Sequence, residues 1–175
     1  MMKLPKLIYF FILFTSAHFN TNGQIIFNDI YGKKASYKIS VPSSYTLRQA
    51  VGANVDLKYV NNQGFSIVTV IKKGPPGIKP DDIKFIVEQT NYDIKEGLEA
   101  TGLSNLTILN KGITEINGHP TAFIYYTDGE LYFHAITQFR KGNIANLTFT
   151  CTLREKNSNL AYIYRVVNSL IWLDN

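Results

Sequence analysis

Along this chain apolar and polar residues alternate with period two over several short stretches and switch twice to helical spacing. Ser36 to Val41 (SYKISV) alternates and stops at Pro42-Ser43-Ser44, where proline removes a ladder donor and favours a turn. Val55 to Val60 and Phe65 to Lys72 flank Asn61-Asn62-Gln63-Gly64, which has the composition of a hairpin turn. In the second arm Phe65, Ile67 and Ile71 alternate with polar positions, but Val68 and Val70 are apolar too, which predicts cover on both faces. After the Pro/Gly-rich loop Lys72 to Pro80, the residues Ile83, Ile86, Val87, Ile94 and Leu98 fall on one stripe and predict a helix from Asp81 to Glu99. Asp81 and Asp82 suit its positive end, and Gly102 is a natural stop.

Strands are then expected at Leu106 to Glu115, Thr121 to Thr127, Leu131 to Arg140 and Asn143 to Leu153. Their junctions, Ile116-Asn117-Gly118-His119-Pro120, Asp128-Gly129-Glu130 and Lys141-Gly142, are short, so the strands should form an antiparallel meander. A closing helix is predicted from about Ser158 to Leu173. Its stripe is Leu160, Ile163, Tyr164, Val167, Leu170 and Ile171, and Trp172 pins it to the sheet. Helices with one apolar stripe need a sheet to lie on. The expected fold is therefore α+β: an α/β/α sandwich with a central antiparallel sheet of six or seven strands flanked by two long helices.

The first residues change the picture of where this domain works. Lys3 and Lys6 precede an unbroken apolar run, Leu7 to Phe14, after which polarity rises towards Thr21-Asn22-Gly23. That is the layout of a secretory signal, with small residues at the positions a signal peptidase requires. Cleavage is expected after Gly23, with Ala17 as the competing site. The run is well short of the roughly 20 residues that cross a bilayer. Residues 1–23 are read as a signal peptide and 24–175 as a single domain, exported to the periplasm or secreted, with no stable membrane span after cleavage. The net charge of +5 includes Lys3 and Lys6, and the other basic residues are scattered or paired, so no nucleic-acid partner is expected. Cys151 is the only cysteine, which excludes an internal disulfide. From Ala145 to Leu153 the odd positions are apolar and the even ones polar, which places Cys151 on the buried face of a strand with Leu147 and Phe149.

Three local phrases stand out: Tyr37-Lys38-Ile39-Ser40-Val41-Pro42-Ser43-Ser44-Tyr45; Ile116-Asn117-Gly118-His119-Pro120-Thr121-Ala122; and Phe139-Arg140-Lys141-Gly142-Asn143 before a Thr-rich strand and a final helix. With the order of elements they resemble the PsbP-like superfamily, which takes in the PsbP extrinsic protein of photosystem II, the Ran-binding Mog proteins and exported bacterial relatives of the DcrB and LpqN kind. The resemblance runs from about Ala35 to Leu173. It implies the fold and a role among mostly non-enzymatic binding or accessory proteins. It transfers no site residue.

Candidate chemistry is sparse. No Gly-x-Ser-x-Gly elbow occurs, and after the leader the histidines are His119, in a turn, and His134, on a strand. Neither His-x-His nor Cys-x-x-Cys spacing occurs, so no metal ligand set and no cofactor is assigned. Asp128-Gly129-Glu130 offers two carboxylates, but Asp-Gly is also an ordinary hairpin signal. The least ordinary feature is aromatic: Tyr125, Tyr126, Tyr132, Phe133 and His134 crowd one hairpin. Alternation puts Tyr132 and His134 on one face and Phe133 on the other. Two readings stand: a ligand or partner surface formed by Tyr126, Tyr132, His134 and Arg140, or cross-strand packing beneath a helix. The functional expectation is an exported non-catalytic accessory or binding protein acting through an unidentified protein or small ligand. A hydrolase with dispersed residues and a metal-assisted structural module are the alternatives.

Overall fold

The computed structural model describes residues 25–173, so the signal read at residues 1–23 lies outside the described residues. Two antiparallel sheets form the frame. The smaller one joins β1 (Phe27–Tyr31), β2 (Tyr37–Pro42) and β10 (Ile171–Trp172), with β2 in the middle. The larger has seven strands in the order β3 (Thr46–Leu47), β4 (Val55–Val60), β5 (Ser66–Lys73), β9 (Asn143–Thr152), β8 (Leu131–Arg140), β7 (His119–Thr127) and β6 (Thr107–Ile116). The expected meander is present as β6–β9, each strand paired antiparallel with the next. Its first turn is Asn117-Gly118, with φ of 52° and 75°. Two successive positive φ values are what a two-residue hairpin needs, and glycine and asparagine tolerate them.

The helices depart from expectation, and neither is long. The segment 81–99 divides into a 3-10 turn at Pro80–Ile83, α1 (Lys84–Glu88) and α2 (Asn91–Glu99). The break has a local cause. Thr90 is extended and its hydroxyl accepts from the Asp93 amide at 3.1 Å, while the Asp93 carboxylate accepts from the Thr90 amide at 3.1 Å. This reciprocal cap starts a second helix where the apolar stripe had suggested one. The final helix, α3, spans Lys156–Val167 and ends before the apolar residues Leu170 to Trp172. Trp172 therefore lies in β10, opposite Tyr37 of β2, and not on a helix.

One face of the large sheet holds the main core. Leu57, Ile67, Ile71, Ile136, Leu147, Phe149 and Cys151 meet α3 through Ile163, Val166 and Val167, and the small sheet through Tyr37, Ile39 and Val41. The Cys151 side chain is fully buried, as the alternation predicted. The second face is covered at β7 and β8: Ile83 packs on Ala122 and Phe139, and Leu106 on Tyr126, Phe133 and Ala135. Over β5 it is not fully closed, since Ser66, Val68 and Val70 are only half-buried. The layers are therefore large sheet against α3 plus small sheet on one side, with short helices over part of the other. This corrects the symmetric sandwich, and the reason is that β2 leaves the large sheet to pair with β1 and β10.

One buried charge joins the two sheets. The Asp56 carboxylate accepts from the amides of Lys33 (3.1 and 3.0 Å) and Lys34 (3.0 Å) and from the Tyr37 hydroxyl (2.7 Å). The same hydroxyl lies 2.6 Å from Thr69 Oγ1. Burial pushes the Tyr37 phenol well above its ordinary value. A Cβ on Gly32 would sit 2.1 Å from the Tyr37 ring, so this loop can reach Asp56 only with glycine there.

Candidate functional site

The pairing of β7 with β8 decides where the aromatic hairpin points. Tyr126 stands opposite Phe133 and Tyr125 opposite His134. Directly opposed residues share a face. Tyr126 thus belongs to the second face, where it stacks on Phe133 with ring centroids 4.7 Å apart and planes 8° from parallel. Tyr132 and His134 share the core face, with side chains almost fully enclosed. Arg140 is on that face by alternation, but six residues on from His134, which is roughly 20 Å along a strand. The four sequence candidates therefore do not meet in one surface. Tyr126 and Tyr132 are buried in the packing of opposite faces of the sheet.

His134 alone of the four reaches a cleft. The cleft, about 390 Å³, opens between α3 and strands β6–β8 and is lined in part by Thr114, Glu115, Asn117, Phe123, Tyr125, His134 and Tyr164. Its wall is a stack of rings along the sheet. Phe123 lies 4.8 Å from Tyr125, and Tyr125 lies 3.9 Å from His134. Tyr164 of α3 meets His134 edge-on at 5.5 Å and 87°. Phe123 can lie flat because its cross-strand partner is Gly112, where a Cβ would come within 2.7 Å of the ring. The rim at the β6–β7 turn is fixed by Asn117, whose amide donates to the carbonyls of Asn168 (2.9 Å) and Leu170 (2.8 Å).

The ring wall of the cleft is uncharged. Burial, helped by the positive charge of Lys156, holds His134 down to about 4, so its ring is uncharged at neutral pH. Tyr132 Oη lies 3.2 Å from His134 Nδ1. Assigning the buried phenol as donor puts the imidazole proton on Nε2. Burial first, then the neighbouring Tyr164 phenol, pushes Tyr125 up to about 12. Glu115 borders the mouth of the cleft, but its register opposite Pro120 puts its side chain on the second face of the sheet with Ile113. The ring wall itself offers flat, uncharged faces to a small molecule.

Phe123, Tyr125 and Tyr164 are not among the four site candidates of the sequence, although Tyr125 stands in the aromatic hairpin and Tyr164 in the apolar stripe of the last helix. Tyr125 was reachable: register across the Asp128-Gly129 turn sets it beside His134. Tyr164 was not, since its position depends on how α3 crosses the sheet. The Asp128 carboxylate accepts from the Glu130 and Leu131 amides at 3.0 and 2.7 Å, so it is engaged in its own turn. Among the described residues no three His, Cys, Asp or Glu side chains cluster as metal ligands.

No family model and no curated protein matches this chain. Solved structures do. Cyanobacterial PsbP from Synechocystis sp. PCC 6803 superposes with a TM-score of 0.69, covering 87% of this chain and 95% of its own at 12% identity. This chain has a PsbP-like fold. LpqN, described as involved in cell envelope biogenesis of Mycobacterium tuberculosis, superposes with a TM-score of 0.52 at 13% identity, over 84% of this chain and 90% of its own. At these identities the PsbP-like relationship is one of fold, and the residues of the cleft are assigned by their own geometry. No helix among the described residues is long and apolar enough to cross a membrane.

Proposed function

We propose that this protein is an exported, non-catalytic accessory protein that holds a small ring-bearing ligand in the cleft between α3 and β6–β8. The observation that carries this reading is the ring wall Phe123–Tyr125–His134, closed by Tyr164, with a histidine kept neutral by burial. A concave site with ring faces along one wall and polar residues such as Thr114 and Asn117 at its rim suits a small molecule that is part apolar and part polar. The apolar leader after Lys3 and Lys6 supports export. A PsbP-like neighbour described by its role in cell envelope biogenesis supports an accessory role outside the cytoplasm.

The test is native mass spectrometry on the protein isolated from its own host, beside a Tyr164→Ala variant. Tyr164 is exposed, so its truncation spares the core. The expected result is a bound small molecule that the variant loses. Absence of a bound species, or retention by the variant, would overturn the ligand reading. The mass of the isolated chain tests export: an N-terminus at Gln24 is expected, and an intact Met1 would defeat it.

A further inference from the structure

We propose that β6 is the interface through which two copies of this chain pair, edge to edge and antiparallel, about Ile113. Among the described residues β6 is an outermost strand of the large sheet and β7 is its only neighbour there. The type of turn sets which of its backbone groups are free to pair. A two-residue hairpin closes on a hydrogen-bonded pair, here Ile116 and His119. Every second residue back from Ile116 then bonds to β7, which leaves the amides and carbonyls of Lys111, Ile113 and Glu115 directed outward. Ile113 and Glu115 are exposed, and Ile113 retains 43% of its accessible surface, high for an isoleucine in a strand. A bulge between Ile108 and Asn110 ends the regular edge on the far side.

The occupant follows from the order of these residues. Lys111, Ile113 and Glu115 alternate onto one face of the sheet. In an antiparallel pair centred on Ile113, the isoleucine of one copy meets the isoleucine of the other. Lys111 of each copy then meets Glu115 of its partner, on both sides of the centre. The edge is thus complementary to itself under a two-fold rotation, the property that an isologous interface needs. The Lys111 ammonium already donates to the Gln89 carbonyl. Its three donors allow it to keep that bond and also meet a carboxylate. Thr114 and Glu115 line the mouth of the ring-walled cleft as well, so pairing would bring the two clefts side by side.

Sedimentation velocity of the purified protein over a range of concentrations tests this. A reversible dimer is expected. Glu115→Lys or Lys111→Glu alone should raise its dissociation constant about tenfold or more, since opposite charges become like charges at both ends. A mixture of the two variants restores both ion pairs and should dimerise where each alone does not. Ile113→Cys should cross-link under mild oxidation, because the native Cys151 is buried and does not compete. A protein that stays monomeric throughout would overturn the proposal and leave the edge to a different chain. So would a dimer indifferent to both reversals, or a mixture that remains monomeric. If Lys111→Glu fails to fold, Glu115→Lys and Ile113→Cys decide it without the mixture.

Discussion

Trp172 Nε1 donates to Gln138 Oε1 at 2.8 Å, inside the core, and so ties the small sheet to the middle of the large one. Gln138 is fully committed there: its amide donates to Thr121 Oγ1 at 2.9 Å and to the Ile116 carbonyl at 3.4 Å. Trp172→Phe would leave Oε1 without its donor, and Gln138→Leu would leave the indole N–H without its acceptor. Each should cost about 1–3 kcal/mol in urea denaturation, the penalty for a stranded buried polar group. The double variant should cost less than the sum, because removing both partners strands less than removing one. Strict additivity would show that the bond contributes nothing specific.

Asp56 serves three donors at once, the amides of Lys33 and Lys34 and the Tyr37 hydroxyl. Asp56→Ala leaves them without their acceptor and should destabilise the fold by about 3 kcal/mol or more. Trp172, the single tryptophan, packs edge-on against Tyr37 at 6.1 Å and gives a fluorescence readout of this junction. The variant should shift the urea midpoint down and alter native-state emission. A midpoint unchanged from the parent would show that the carboxylate is not structural.

His134 makes stability depend on mild acid. Its folded value, about 4, is below the ordinary 6.5, so between these pH values the unfolded chain binds a proton that the folded chain refuses. Stability from this group is full above about pH 6.5 and falls as pH drops towards 4, by about 3 kcal/mol in all. Denaturation at pH 7 and pH 4.5 should show the loss, and His134→Gln should flatten the slope over that window. An equally steep slope in the variant would assign it to other groups.

Cys151 should be inert while the protein is folded. Its side chain is fully enclosed and burial, with Glu155 adding to it, pushes the thiol up to about 11. The reactive thiolate is then scarce at pH 8 as well as inaccessible. A thiol reagent should label nothing in buffer and one group per chain in denaturant. Rapid labelling of the folded protein would contradict the burial.

The strands were legible wherever period two and a compact turn coincided. Asn117-Gly118 and Lys141-Gly142 fixed both the ends and the antiparallel sense of β6–β9. Helix limits were less legible, because an apolar stripe continues smoothly across a break made by one threonine cap at Thr90. Leu170 to Trp172 fit helical spacing as well as strand spacing, and only the tertiary partners Tyr37 and Gln138 choose between them. The cleft was half legible. His134 was legible as part of the aromatic hairpin, on the face it shares with Tyr132, whereas Tyr164 comes from a helix whose crossing no local pattern encodes.

The pairing of β2 with β10 also has a consequence in time. β2 is among the first described strands to emerge during synthesis, yet its partner at Ile171 and Trp172 follows every other described strand. The Asp56 junction has its donors early, but the indole that locks the small sheet to Gln138 arrives late. A nascent chain therefore cannot complete its core until Ile171 and Trp172 have been made. Under the export proposed above, that late closure keeps the chain threadable until it is across.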